Sequence, residues 1–207
     1  RQKAFRIIIS CNALEKSMVK YPVRFAHVEK GGEPLLDMYG ITPSYQFVTG
    51  RNLDYLFATD ATLEMRSWDG LDDRDGYYAM IGERLQHVIG QKKHSVGAGI
   101  GIFHDHTKAA EYQNTGAAVS VDGYLRLHGR LTLYARARYA HTAYAEKEAL
   151  APETRVDDQT DLAGGLNWML QSWWGLDANL AQTFNSSTFD LYEYDRGVVT
   201  VSTFCTF

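Results

Sequence analysis

The chain has 207 residues, of which 22% are charged and 13% are aromatic, and its formal net charge is −4. No run approaches the about 18 consecutive apolar residues that a transmembrane helix needs. The mild acidity and the lack of a basic tract argue against nucleic acid as a partner. The length suits one domain with a substantial core or barrel.

The N-terminal segment, residues 1–17, contains the apolar run 5–9 but fits no paired strand in an even count of strands. Three arrangements remain open for it: an amphipathic periplasmic helix, a plug, or an additional strand of a larger barrel. We therefore divide the chain into this segment and a main domain over residues 18–207.

From residue 18 onwards, apolar and polar residues alternate in long runs, which predicts β-strands with one apolar and one polar face. The ten predicted strands cover 18–28, 37–49, 53–67, 76–89, 94–106, 116–128, 130–144, 157–170, 173–185 and 196–207. A strand of about 13 residues tilted by about 40° rises roughly 33 Å, which exceeds the apolar band of about 25 Å in an outer membrane. The predicted strand length therefore suits a membrane wall.

The alternation is strongest in residues 115–142, which read as two runs joined at Gly129. One parity of these runs carries Leu, Val and Ala and ends at Tyr139, whereas the other parity carries charges and tyrosines. This pattern indicates a β-hairpin with lipid on one side and water or a polar lumen on the other.

The predicted connections alternate between short and long. Short connections fall at 50–52, 90–93, Gly129 and 171–172, and longer polar ones at 29–36, 68–75, 107–115, 145–156 and 186–195. Outer-membrane barrels show this asymmetry, with short periplasmic turns and longer extracellular loops. The sequence therefore predicts an all-β protein, a transmembrane antiparallel up-and-down β-barrel of about ten visible strands. Twelve strands, or part of a larger barrel, are the alternatives.

The C-terminal segment carries a family resemblance. The chain ends on Phe207 with apolar residues, among them Val199 and Val201, at alternate positions before it. This ending resembles the C-terminal signal of Gram-negative outer-membrane proteins. Residues 194–196 and the segment 163–187 are similar to the last strands of β-barrel porins associated with exopolysaccharide systems. The resemblance implies an outer-membrane location, contact with outer-membrane lipid, and passage of a polar solute or polysaccharide.

The polar parity of the predicted strands would line the lumen. The candidate lumen and selectivity residues are Asp54, Asp60, Glu64, Arg66, Arg84, Asp122, Tyr124, Arg126, Tyr134, Arg136 and Arg138. A hairpin that pivots on Gly129 places Asp122 opposite Arg136 and Tyr124 opposite Tyr134.

Within this set, Arg126, Arg136 and Arg138 are the best candidates for a selectivity wall. The acidic strand with Asp54, Asp60 and Glu64 would oppose them. Since both signs of charge occur, the charges could instead pair with one another and merely fill a narrow barrel.

Two local features test the assignment of faces. Gly97, Gly99 and Gly101 share the polar parity, which predicts either a curved or closely packed strand or a ligand groove. Glu83 falls on the apolar parity, where lipid makes a charge costly. We expect a bulge near Gly82, or a position close to the membrane interface, to lower the cost of placing the Glu83 charge on this face.

Enzymatic and metal chemistry find little support in the sequence. His104 and His106 lie two residues apart at a predicted strand end, but no serine stands where a hydrolytic His–Ser pair needs it. Two histidines alone make a weak metal site. The acidic loop 69–76 departs from the EF-hand spacing, so solvated charge is favoured over Ca²⁺ binding. We predict no enzyme activity and no cofactor.

Cys11 and Cys205 are the two cysteines of the chain. Both fall near the predicted periplasmic end, so closure of a barrel could bring them together as a disulfide. The simpler interpretation is that Cys205 faces lipid as a small apolar residue.

Two functions remain in different classes. The first is a porin-like channel or export conduit for a polar solute, with a saccharide as one candidate. The second is a closed, non-conducting scaffold barrel that anchors other envelope subunits. A soluble β-sandwich or lipocalin-like carrier is a third alternative, and it would place the Leu and Val parity in its interior.

Overall fold

The computed structural model describes residues 2–14, 17–30, 33–90 and 94–205, with side chains for 17–29, 33–90 and 94–205. The strands are β1 (Gln2–Leu14), β2 (Ser17–Lys30), β3 (Glu33–Ile41), β4 (Ser44–Thr49), β5 (Tyr55–Trp68), β6 (Gly76–Ile89), β7 (His94–Thr107), β8 (Asn114–His128), β9 (Leu131–Tyr144), β10 (Val156–Met169), β11 (Trp174–Ser187) and β12 (Tyr194–Cys205). Two short 3-10 helices, Asp72–Arg74 and Asp190–Tyr192, lie in loops. The described chain is thus all-β, as predicted.

All strands belong to one antiparallel sheet, and apart from β3 and β4 each strand pairs with its neighbours in the sequence. β3 and β4 occupy one position together, because both lie between β2 and β5. The predicted up-and-down arrangement is confirmed, and β6 has the predicted bounds. The even count of ten is wrong, because the path through the sheet contains eleven strands.

The additional strand is β1, which pairs with β2 from Gln2 opposite Val28 to Leu14 opposite Ser17. Within the segment 1–17, the described residues 2–14 thus form a further strand of the sheet. Among the described strands, β1 pairs only with β2 and β12 only with β11. The two outermost strands, β1 and β12, run in the same direction. The path has eleven positions, and the strand direction reverses from each position to the next.

The predicted strand 37–49 is interrupted at Thr42 and Pro43, between β3 and β4. Proline has no N–H and cannot donate to a neighbouring strand, so a ladder breaks there. The neighbouring strands stay connected, because the Thr42 N–H donates to Pro22 O and the Ala61 N–H donates to Pro43 O, both at 2.9 Å.

The connections lie at the two opposite ends of the strands, and they differ in length between these ends. Gly129 and Arg130 join β8 to β9, and residues 170–173 join β10 to β11, at what we call the short-turn edge. Residues 69–75, 108–113, 145–155 and 188–193 form the connections at the opposite, long-loop edge. The predicted alternation is therefore present from β4 onwards. The connection expected at 29–36 is shorter, because β2 ends at Lys30 and β3 begins at Glu33.

The two faces of the sheet differ in polarity and in exposure. The apolar face carries Leu, Ile, Val and aromatic side chains and is exposed, with Met65 and Ile100 each at 65%. The polar face is more covered, and it buries Glu64 at 4% and Asp157 at 7%. The five buried hydrophobic residues described are all alanines. The described residues therefore contain no apolar core, contrary to the soluble-carrier alternative.

Glu83 is an exception on the apolar face. No register shift occurs where β6 pairs with β5 and β7, and Glu83 is near the middle of its 14-residue strand. The bulge expected near Gly82 is therefore wrong. Instead the Thr59 hydroxyl lies 2.9 Å from each carboxylate oxygen of Glu83 and donates to it.

Side chains on the polar face connect strands that are two positions apart. Strands two positions apart lie roughly 10 Å from one another, so a side chain on the strand between them would stand in the way. The Arg24 guanidinium of β2 reaches Glu64 of β5, and Gly40 of β3 lies opposite both residues. Because Gly40 has no side chain, the Arg24 guanidinium and the Glu64 carboxylate can contact each other across β3.

The same arrangement recurs between β9 and β11. The Tyr134 hydroxyl donates to Asp177 Oδ1 at 3.2 Å, and the Asn179 amide donates to the Tyr134 hydroxyl at 3.2 Å. The tyrosine crosses Gly165 of β10, where a Cβ would lie 2.6 Å from the ring and 2.4 Å from the Ala178 carbonyl oxygen. Gly165 is therefore required by close packing of both a side chain and a backbone.

We predict that Gly165→Ala lowers the free energy of unfolding by about 1 to 3 kcal/mol, because the added methyl group overpacks this site. Gly164→Ala is the matched control, since a Cβ there has its nearest neighbour, the Tyr134 carbonyl oxygen, at 3.6 Å. Urea unfolding in detergent, followed by tryptophan fluorescence, measures both variants. Equal effects of the two substitutions would contradict the packing described here.

Candidate functional site

Ten of the eleven candidate lumen residues lie on strands β5, β6, β8 and β9, and alternation and pairing place them on the polar face. Asp54 lies in the turn before β5 instead. Its Oδ1 atom is buried and has no hydrogen-bond partner among the described residues. The register of the central hairpin is as predicted, with Asp122 opposite Arg136 and Tyr124 opposite Tyr134.

A chain of ion pairs covers the polar face towards the long-loop edge. Arg66 Nε lies 2.8 Å from Glu64 Oε1, and Arg66 Nη1 lies 2.6 Å from Asp105 Oδ2. Arg24 also contacts Glu64, and the Arg66 guanidinium lies 4.8 Å from the centre of the Tyr78 ring. These partners neutralise Glu64 and Arg66, so neither residue presents a free charge.

Arg138 is compensated as well. Its Nη1 lies 3.2 Å from Asp161 Oδ2, and Gln159 and Thr183 also donate hydrogen bonds to that carboxylate. Arg138 was predicted to form a selectivity wall with Arg126 and Arg136. The structure places it on the same face, but in a separate pair with Asp161.

The polar face towards the short-turn edge is more open. A cavity of about 730 Å³ lies there, and Asp60, Arg84, Asp122, Tyr134 and Arg136 contribute to its lining. Asp122 forms its ion pair with Arg84, Nη2 to Oδ2 at 2.5 Å, and not with Arg136 opposite it. Among the described residues, Arg136 and Asp60 have no ion-pair partner. This half of the face therefore presents uncompensated charge.

The glycines of β7 are covered by side chains from the flanking strands. A Cβ at Gly97 would lie 3.0 Å from Asp122 Oδ1, one at Gly99 would lie 3.1 Å from Ser120 Oγ, and one at Gly101 would lie 3.1 Å from Met80 Cε. The three glycines share the polar face, as predicted. Because neighbouring side chains occupy the space above them, the structure favours close packing over an open ligand groove.

Arg155 is the centre of a cluster at the long-loop edge that the sequence did not reveal. Its Nε and Nη2 atoms lie 2.9 and 2.5 Å from the two carboxylate oxygens of Asp157. Its guanidinium lies 3.3 Å from the centre of the Tyr192 ring and 4.3 Å from that of Tyr144. The Tyr192 hydroxyl donates to Glu148 Oε2 at 2.7 Å. The loops before β10 and β12 are thereby held together.

Sequence patterns offer one weak signal for this cluster. Arg155 and Asp157 are two residues apart and so share a face, whereas Glu148 and Tyr192 come from loops without periodicity. Only the folded loops bring these four residues into contact.

A second contact connects the loops before β6 and β8. Asp75 Oδ1 accepts the Trp68 N–H at 2.6 Å, and Asp75 Oδ2 accepts Lys108 Nζ at 2.9 Å. The Trp68 N–H and then Lys108 hold the pKa of Asp75 below its usual value, and Asp75 raises the pKa of Lys108. One carboxylate of the acidic loop considered for Ca²⁺ is therefore already engaged.

The histidines considered for catalysis or metal binding lie on the apolar face. His104 Nδ1 is 2.9 Å from Thr115 Oγ1, and the rings of His104 and His106 are 6.2 Å apart. The described residues contain no group of three or more His, Cys, Asp or Glu arranged around a common metal position. Cys205 is an exposed free thiol, whereas the Cys11 side chain lies outside the described residues.

No model of a known protein family matches the chain, and no curated protein matches it. None of the helices in the described ranges has the length and hydrophobicity of a membrane span.

Arg155→Ala is predicted to release the loops at 145–155 and 188–193, because it removes both ring contacts and leaves Asp157 uncompensated. Limited proteolysis should cleave these loops faster in the variant. Lys147→Ala, which changes an exposed lysine in the same loop, is the control and should not alter the cleavage rate. Unchanged cleavage in Arg155→Ala would contradict a role for Arg155 in loop attachment.

The Asp75–Lys108 contact should persist at neutral pH and be lost in acid. A carboxyl group whose pKa is lowered in the folded state stabilises the fold above its ordinary pKa of about 3.9, and that stabilisation disappears as the pH falls through the lowered pKa. Protease sensitivity of the loops should therefore differ between the wild type and Asp75→Asn at about pH 5 to 9 and become equal in stronger acid. A difference that vanishes already near neutral pH would contradict this assignment.

Proposed function

We propose that the chain forms a transmembrane β-barrel of the Gram-negative outer membrane and acts as a porin-like channel that passes or exports a polar solute, with a saccharide as a candidate. The polarity of the two faces is the observation that carries the proposal. Large apolar side chains are exposed across one face, while the other face carries the carboxylates and guanidinium groups and buries Glu64 and Asp157. Water as the only solvent would favour the opposite arrangement.

The distribution of side chains along the strands also suits a bilayer. On the apolar face, Tyr77 and Phe184 lie near the long-loop ends of their strands, and Tyr55, Trp168 and Trp174 lie near the short-turn ends. Apart from Glu83, the middle of the same face is largely aliphatic, with Leu63, Ile81, Ile100, Val119, Leu162, Leu180 and Val199 exposed. Two aromatic bands that flank an aliphatic band are typical of outer-membrane barrels.

A barrel also requires that the free edges of β1 and β12 be covered, since unpaired backbone groups are costly in lipid. The two strands run in the same direction, so they can pair directly only in parallel. An antiparallel closure needs one further strand between them. Single-chain bacterial barrels have an even number of strands, which favours the second arrangement over the first.

The cavity on the polar face favours conduction. Its volume is about 730 Å³, and its lining contains the uncompensated charges of Asp60 and Arg136. A lumen lined by separated charges of both signs can admit a hydrated polar solute and distinguish it by charge.

The non-conducting scaffold barrel is the second candidate. The ion pairs around Glu64 and Arg66, together with the loop cluster around Arg155, lie on the polar face towards the long-loop edge. If these side chains close the lumen, the barrel would anchor other envelope subunits instead of conducting.

Planar-bilayer recording separates the two candidates. We expect the protein to require detergent for extraction from membranes and to produce steady current steps after insertion into a bilayer, because the polar face provides an aqueous path. A heat-denatured sample of the same preparation is the control. Membrane insertion without steady current would favour the scaffold, and extraction without detergent would contradict the membrane assignment itself.

A further inference from the structure

We propose that the polar face contains an anion-binding position at Arg136, supported by Arg126, and that this position makes the lumen prefer anions over cations. The inference rests on the proposed channel function and adds the sign of the charge that the channel selects. Three features of the described residues support it: the ion pair of Asp122 with Arg84, the glycine that makes room for this pair, and the charges that have no ion-pair partner.

Asp122 is the carboxylate that should neutralise Arg136. The two residues lie directly opposite each other on β8 and β9, and oppositely charged cross-strand neighbours attract one another. The carboxylate turns to the other side instead, across β7, and contacts Arg84 Nη2 of β6 at 2.5 Å. Asp122 and Arg84 therefore compensate each other, and Arg136 is left without a carboxylate among the described residues.

Gly97 is what permits Asp122 to turn away from Arg136. In the β7–β8 ladder Gly97 lies opposite Asp122. A Cβ at Gly97 would be 3.0 Å from Asp122 Oδ1 and 3.1 Å from Oδ2. The carboxylate thus occupies the space that any other side chain at position 97 would take. Gly99 lies opposite Arg84. Because it has no side chain either, it does not block the Arg84 guanidinium where this group extends over β7 towards Asp122.

The remaining charges favour an anion at this part of the face. Arg136 is exposed within the cavity, and Arg126 lies on the same face of β8, also exposed and without an ion-pair partner in the described ranges. Asp60 of β5 is the uncompensated acid that lines the same cavity. The arginines and the aspartate lie on different strands, so an anion would pass along β8 and β9 and away from β5.

The chemistry of the position points to carboxylate or phosphate groups. A guanidinium presents parallel N–H donors that match two oxygens of such a group. Ser120 lines the same cavity and adds a hydroxyl group. A phosphate or a carboxylated sugar would supply the same acceptor geometry, and inorganic phosphate is the simplest probe of it.

Reversal potentials in a potassium chloride gradient across a planar bilayer test the proposal. The wild-type channel should prefer chloride, and Arg136→Gln should lower the chloride-to-potassium permeability ratio several-fold. Arg136→Lys keeps the charge and should retain the preference. Lys147→Gln removes one positive charge from an exposed loop position and should leave the ratio unchanged.

Gly97→Val provides a test without any change of charge. The new side chain should displace the Asp122 carboxylate towards Arg136 and lower the permeability ratio as Arg136→Gln does. Gly101→Val is the matched control on the same face of β7, because a Cβ there meets Met80 and the Ile81 carbonyl oxygen instead of Asp122. If Gly97→Val does not insert, Arg136→Gln still decides the question.

Inorganic phosphate should also reduce the chloride current of the wild type more than that of Arg136→Gln. A conducting wild-type channel that prefers potassium, or an unchanged ratio in Arg136→Gln, would overturn this inference and leave the channel function standing. Absence of any steady current would overturn both.

Discussion

The structure depends on one constraint: a single antiparallel sheet carries an apolar face that is exposed and a polar face that is less exposed. A fold in water gains most of its stability by removing apolar side chains from the solvent. The described residues bury alanines and polar groups such as Glu64 and Thr183, and leave Ile100 and Val121 exposed. Hydrocarbon against the apolar face would reconcile this arrangement with the hydrophobic effect.

The polar face must then stabilise itself without an apolar core. Backbone ladders supply part of the stability, and ion pairs and hydrogen bonds across neighbouring strands supply the rest. Gly40, Gly97 and Gly165 leave the room in which Arg24, Asp122 and Tyr134 reach partners two strands away. The same side chains decide which charges remain uncompensated. Packing and the distribution of uncompensated charge on this face are therefore set by the same residues.

The regular part of the fold could be predicted from the sequence, because a period of two identifies strands and their faces. Gly129 fixed the hairpin register that places Asp122 opposite Arg136. The break at Pro43 and the hydrogen bond that Glu83 accepts from Thr59 were not predicted, and a further strand was only one of three arrangements left open for residues 1–17. The Asp122–Arg84 pair and the Arg155 cluster were not predicted either. The Asp122–Arg84 pair depends on a contact across a third strand and the Arg155 cluster on contacts between irregular loops, and such contacts leave no periodic signal in the sequence.

The most direct test of the two faces is a nitroxide scan of residues 117–124 in β8, in phosphatidylcholine vesicles, after Cys11 and Cys205 are replaced by Ser. Collision of the nitroxide with oxygen reports exposure of the labelled position to lipid. Collision with a water-soluble nickel chelate reports its exposure to water. We expect oxygen accessibility to peak at Val119 and Val121, and nickel accessibility to peak at Ser120 and Asp122. The reverse alternation, or shielding of Val119 and Val121 from both reagents, would contradict the account.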